Sequence, residues 1–202
     1  SQPVADRDYM EFGKPRYAFL VTGGNIDSMV AHYTAAKRRR SDDAYTPGGK
    51  AGRRPDRATI VYSRKLRQLY PDSNIVIGGL EASLRRFAHY DYWDDAVRPS
   101  ILLDSQADLL LYGMGEKVIT QLTQRLRQGE ALETIRDLRG CCYLCRQEEI
   151  PQDSVSCASF HKVSENKESY AKAHQIQTEW QDAVYGKTIV QKQTDTLYLV
   201  QN

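Results

Sequence analysis

The chain has 202 residues, 41% hydrophobic and 27% charged, with a net charge of +2, which suits one α/β domain carrying a smaller appendage. Its longest uncharged apolar runs, YAFLVTGG and ADLLLYGMG, are too short to span a bilayer, and no basic-then-apolar leader is recognisable, so a cytoplasmic protein is expected. So small a net charge gives no indication of nucleic-acid binding, and four unevenly spaced cysteines do not make a secreted disulfide framework.

In chain order, YAFLVTGG is an apolar run ended by glycines and predicts a buried strand. Asn25, Asp27 or Ser28 can cap the helix that follows, in which Ile26, Met29, Val30 and Tyr33 recur at helical spacing. Positions 41–56 have no apolar period, and Pro47-Gly48-Gly49 marks a turn within them. Pro55-Asp56 announces a helix with Tyr62, Leu66 and Leu69 on its inner face, which Pro71-Asp72 ends. NIVIGG is apolar on both faces, as in a strand covered on both sides. LEASLRRFAHY then predicts a helix that opens at that strand's glycines, interrupted by DYWDD and RPS.

SILLD and ADLLLYG are strand-like, the first equally readable as a connector. Val118, Ile119, Leu122 and Leu126 stripe the next helix, which Gly129 stops, and ALETIRDL predicts a shorter one. CCYLC follows Gly140. Beyond Pro151 the chain becomes more polar. Positions 164–185 predict one long helix with a stripe of Ala173, Ile176, Trp180 and Ala183/Val184, and KTIVQKQTDTLYLVQN predicts a hairpin around Thr194-Asp195-Thr196. Alternating strands and helices point to an α/β fold: an open, mostly parallel sheet with helices on both faces over residues 1–150, followed by a helix-plus-hairpin appendage over 151–202.

Cys141, Cys142 and Cys145 could suggest a metal site. On a strand, however, Cys141 and Cys145 sit about 13 Å apart and Cys142 points the other way, whereas one ion needs sulfurs within about 4.6 Å. The spacing also lacks a cysteine at 148, where Glu148 stands. Buried thiols are the expectation.

VTGGN, VIGGLEAS and YGMGE each set glycine directly after a strand, which in a layered α/β sheet gathers three turns along the edge where ligands lie. None is followed by the lysine of a phosphate-binding loop. Beside these turns stand Asn25, Asp27, Glu81, Arg85, Arg86, His89 and Glu116, and the spacing of four puts Glu81, Arg85 and His89 on one face of the expected helix. Between Lys37 and Arg57 there are eight basic and three acidic residues, a net +5, while Ala88–Asp108 nets −4. Either segment can be a solvated surface, or the basic one can serve an anionic ligand or a neighbouring domain.

The stretches TGGNIDSMVAHYTAAKRRRSDDAYTPGGKAGRRPDRATIVYSRKLR, IVIGGLEASLRRFAHYDYWDDAVRPSILLDSQADLLLYGMGE and EKVITQLTQRL resemble the amino-terminal half of YgiQ-type radical SAM proteins, from about Tyr17 to Asn202. The pattern is also similar to the cobalamin-binding-type Rossmann domain that precedes many radical SAM cores. The resemblance implies that the domain's first strand–helix–strand would precede Ser1. It further implies a parent iron–sulfur enzyme that cleaves S-adenosylmethionine reductively, with a 4Fe–4S cluster on a C-x-x-x-C-x-x-C motif in a core outside this chain. No position here matches that motif, so no cofactor is expected in this chain. The D-x-H-x-x-G motif of a cobalamin's lower ligand is absent too, and His32, His89, His161 and His174 lack that context.

What the resemblance implies is an accessory domain whose partner is the radical SAM core of the same polypeptide, covering the active site or helping to hold substrate. Asp42, Asp43, Arg53, Arg54 and Arg57 would then be polar or anion contacts, with Glu81, Arg85 and His89 as a second wall. The alternatives are a stand-alone cobalamin- or nucleotide-binding module and a non-catalytic interaction domain.

Overall fold

The computed structural model describes residues 5–182 and 184–202. The first half runs α1 (Asp6–Met10), β1 (Phe19–Thr22), α2 (Ser28–His32), α3 (Ala58–Leu69), β2 (Ile75–Gly78) and α4 (Gly79–Leu84). Then come β3 (His89–Asp91), β4 (Ala96–Arg98), α5 (Ile101–Ser105), β5 (Leu109–Leu111), α6 (Glu116–Arg127) and β6 (Cys141–Cys145). The remainder is β7 (Val155–Cys157), α7 (Phe160–Glu165), α8 (Lys167–Trp180), β8 (Ile189–Lys192) and β9 (Tyr198–Gln201).

Seven strands form one open sheet in the order β1-β2-β5-β6-β9-β8-β7, and β3 and β4 make a separate antiparallel hairpin. The neighbours β1, β2 and β5 are parallel, as are β7 and β8; β6 and β9 are joined antiparallel to their neighbours. The expected α/β class and open sheet with helical covering therefore hold. The hairpin of β8 and β9 is present, and it continues the main sheet because β9 pairs with β6 from Cys142↔Gln201 to Cys145↔Tyr198.

Strand residues alternate between two cores. On one face Ile75, Ile77, Leu110, Cys142 and Leu199 pack with Ile60 and Leu66 of α3, Ala82 of α4, Ile101 and Leu102 of α5, and Ile176 and Trp180 of α8. On the other, Val76, Leu109, Leu111, Cys141, Tyr143 and Val200 meet Val118 and Leu122 of α6 together with Leu132 and Ile135. Each large side chain so buried contributes about 1.5–3 kcal/mol relative to exposure, and this double covering is why NIVIG carries no polar alternation.

Several local expectations change. SILLD is a helix, α5, because the Ser100 hydroxyl accepts the Leu102 N–H at 3.2 Å and caps it. The helix after β2 stops at Leu84: the Arg85 N–H turns back to the Ala82 carbonyl at 3.2 Å, and the Arg85 carbonyl accepts the Ile101 N–H at 2.9 Å, tying the chain there to the start of α5. The rest of LEASLRRFAHY leads into β3. ALETIRDL forms only a 3-10 turn, Leu132–Thr134, because Leu132, Ile135 and Leu138 are all laid along the sheet. The long polar helix is divided at Asn166, whose side chain accepts the Ser169 N–H at 2.8 Å and starts α8 afresh. Of its expected stripe, Ala173 is buried, Val184 lies exposed beyond the helix, and Ala183 falls outside the described residues.

Candidate functional site

The parallel register Thr22↔Gly78 and Ile77↔Leu110 brings the carboxyl ends of β1, β2 and β5 level, so the three glycine-bearing turns share one rim. Two of them are glycine for reasons internal to the chain. Gly79 has φ +82°, and a Cβ there would lie 2.4 Å from Thr22 Oγ1; one on Gly23 would lie 2.7 Å from Glu81 Oε2. Gly113, φ +68°, faces open space. Gly79→Ala is expected to cost about 1–3 kcal/mol, from the left-handed backbone and the displaced threonine, read as a lower urea midpoint.

Glu81 is 1% exposed, and its carboxylate accepts the Ser28 N–H at 2.8 Å and the Thr59 N–H at 3.0 Å, fastening the starts of α2 and α3 to α4. Asp27 caps α2 by accepting the Met29 N–H at 2.9 Å, and its second oxygen takes the Arg85 guanidinium. Asp43, 2% exposed, accepts Arg54 Nε at 2.9 Å and Nη2 at 3.1 Å, while Arg54 Nη1 donates to the Gly23 carbonyl at 2.8 Å. The featureless stretch after residue 41 is thereby bound to the first glycine turn. Asp56 takes the Tyr33 hydroxyl at 2.7 Å and His32 Nδ1 at 2.8 Å. Burial alone would raise Asp43 and Asp56, but the Arg54 guanidinium and Tyr45 N–H in one case, and Tyr33 and His32 in the other, hold both below the usual carboxylate range.

The basic and acidic segments meet each other. Arg57 donates to Asp91 at 2.9 Å and to Asp94 at 2.8 Å, and the Lys37 ammonium donates to the Trp93 carbonyl at 3.1 Å while lying over the Tyr92 and Trp93 rings. Opposite local charges thus partly neutralise one another. Among the described residues, Arg38, Arg39, Arg40, Lys50 and Arg53 have no carboxylate within ion-pair distance.

The structure therefore joins Asp27 with Arg85, Asp43 with Arg54, and Arg57 with the acidic hairpin, and sets Glu81 beneath them. Asn25, Asp42, Arg53 and Glu116 are exposed, Asn25 and Glu116 next to the first and third glycine turns. Glu81, Arg85 and His89 do not line one helical face: Arg85 caps the end of α4, and His89 lies in β3. There its Nδ1 stands 3.1 Å from the Phe87 carbonyl, and burial pushes the imidazole down to about 4. The partners missed by sequence reading, Asp56, Asp91, Asp94 and Trp93, carried one usable signal, the adjacency of opposite charge blocks.

Between the end of α2, residues 84–93 and α8 opens a cleft of about 730 Å³. Next to it and along the rim several apolar side chains are exposed, among them Leu80, Leu84 at 62% and Met114 at 84%.

The cysteines do not fit an iron–sulfur cluster. CCYLC is strand β6 as expected, with Cys142 in one core and Cys141 and Cys145 in the opposite one. Burial pushes the thiols of Cys141 and Cys145 up to about 12 and 11, which keeps them protonated at neutral pH. Among the described residues no helix is long and apolar enough to cross a membrane.

The family model described as Radical SAM N-terminal matches residues 1–202. A UPF0313 protein of Clostridium botulinum strain ATCC 19397 is 56% identical over 195 residues, 96% of this chain and 30% of that protein. A UPF0313 protein of Clostridium perfringens strain ATCC 13124 is 54% identical over 186 residues, 92% of this chain and 28% of its own length. The chain thus spans less than a third of these relatives. No solved structure matches it.

Proposed function

We propose, from the premise that this chain belongs to the radical SAM N-terminal family, that it is the amino-terminal accessory domain of a radical SAM iron–sulfur enzyme. In this reading the strand-end rim faces the catalytic core of the same polypeptide, covering the active site or helping to hold substrate there. The 4Fe–4S cluster and S-adenosylmethionine belong to that core.

The observation that carries the reading is the exposed apolar set Leu80, Leu84 and Met114 on the rim, beside ion pairs already spent on one another. Asp43 with Arg54, Asp27 with Arg85 and Arg57 with Asp91 are engaged with one another rather than free for chemistry of their own. They make an ion-paired surface instead, and exposed apolar groups on such a surface are what a neighbouring domain covers. Excluding water and quenchers from a radical is a physical purpose for such a cover.

The test is a full-length protein carrying Leu84→Glu with Met114→Glu. Both side chains are exposed, so the domain's own thermal midpoint is expected to move by no more than about 0.5 kcal/mol in equivalent stability. Proteolytic cleavage of the chain just after residue 202 is expected to become at least about tenfold faster, because two charges buried in a domain interface weaken it by more than 1.4 kcal/mol. Unchanged cleavage would place the interface elsewhere.

A further inference from the structure

The cleft beside the rim shares Leu84, Asp27 and Arg85 with it, and the rest of its lining has a chemistry of its own. One wall is aromatic: the Tyr33 and Trp93 rings pack with centroids 4.1 Å apart and planes tilted by 33°, and Tyr170 and His174 of α8 stand among the lining residues. At about 730 Å³ the space is the size of a small-molecule site.

Two lining groups have unfulfilled hydrogen-bonding capacity of opposite kinds. His89 faces the Phe87 carbonyl through Nδ1, and a carbonyl only accepts, so Nδ1 carries the proton and Nε2 presents a bare lone pair. The depressed basicity of this imidazole keeps it in that neutral form at pH 7. The Tyr170 hydroxyl accepts the Tyr90 N–H at 3.0 Å, and among the described residues nothing accepts its own proton. The cleft lining therefore contributes both an acceptor and a donor.

Its charge is unbalanced as well. Asp27 is matched by Arg85 and Asp91 by Arg57, whereas Arg86 and Arg40, also in the lining, have no carboxylate partner among the described residues. Arg86 is spent on the oxygens of Ser83, Gln181 and Gln201. Arg40 donates through Nε to the Val30 carbonyl at 3.1 Å, and among the described residues its terminal amino groups have no partner.

We infer that this cleft binds a planar heteroaromatic anion, its ring against the aromatic wall, a ring N–H donated to His89 Nε2, a ring carbonyl accepting from Tyr170, and its acidic group at Arg40. Stacking supplies affinity, the donor–acceptor pair orients the ring, and the guanidinium selects the anion.

Calorimetric titration of the full-length protein tests this with three probes: uridine 5′-monophosphate, which has every element, uridine, which lacks the anion, and ribose 5-phosphate, which lacks the ring. Uracil is chosen over adenine so that an S-adenosylmethionine site elsewhere in the protein does not answer for the cleft. The nucleotide is expected to bind at least about tenfold more tightly than either partial probe. Tyr170→Phe, which keeps the ring and removes the hydroxyl, is expected to weaken it about tenfold, and Arg40→Gln to weaken the nucleotide about tenfold while leaving uridine unchanged. Unaltered thermal midpoints show that both variants fold. Equal binding of nucleotide and ribose 5-phosphate, indifference to Tyr170→Phe, or no saturable binding at all, as when another part of the chain fills the cleft, overturns the inference.

Discussion

Glu81→Ala is expected to be the most damaging single substitution on the rim, lowering stability by about 3–5 kcal/mol and the thermal midpoint by on the order of 10 °C. The carboxylate is 1% exposed, and both its oxygens receive buried backbone N–H groups, from Ser28 at 2.8 Å and Thr59 at 3.0 Å. Alanine leaves those two donors without acceptors and opens a void where Gly23, Glu81 and Thr59 meet. Hydrogen bonds to a charged acceptor contribute about 1.5–3 kcal/mol each, and an orphaned buried donor loses its solvation in addition. Glu81→Gln retains the shape and one acceptor oxygen, so about half the loss is expected. Gly23→Ala approaches the same carboxylate from the other side and should cost about 1–3 kcal/mol by overpacking. Chemical denaturation of the three variants checks the order; a Glu81→Ala protein within about 1 kcal/mol of the parent would show that the carboxylate does not hold the helix starts together.

A second large effect concerns pH. His89 has its basicity depressed by burial from the ordinary 6.5 to about 4. The unfolded chain takes up a proton on this residue as pH falls through about 6.5, and the folded chain does so only near 4, so the unfolded state binds more protons in between. The stabilisation is complete above about 6.5 and is lost progressively down to about 4, a total on the order of 3 kcal/mol. Asp43, Asp56 and Asp91 act lower down. Their folded values lie below the ordinary carboxylate range, so their contribution is present above about 4 and fades as pH drops further. Urea midpoints at pH 7.5, 6.0 and 4.5 are expected to fall steadily in the parent and to vary much less in His89→Gln. If the two profiles run parallel, the imidazole is not the group responsible.

The sequence by itself determined the strands YAFLVT, NIVIG and LLL, the glycines that end them, and the opposed faces of CCYLC. These depend on local apolar content and on the two-residue period of a strand, which nearby residues specify. The charge blocks between residues 37 and 108 were visible as well, but their pairing was not. Arg57 meets Asp91 across 34 positions and Arg85 meets Asp27 across 58, distances at which spacing carries no information about contact.

Helix ends were decided in the same non-local way. LEASLRRFAHY stops at Leu84, where the Arg85 carbonyl accepts the Ile101 N–H, and pairing of His89 with Arg98 in the β3–β4 hairpin puts the imidazole in the cleft wall rather than on the helix. Likewise the last hairpin reads locally as a hairpin and nothing more, and its place is set by the free edge of β6, whose unpaired backbone groups β9 satisfies. Short-range chemistry chose the central strands; the need to pair buried charges and backbone groups with whatever the fold brings near them chose the helix ends and the site.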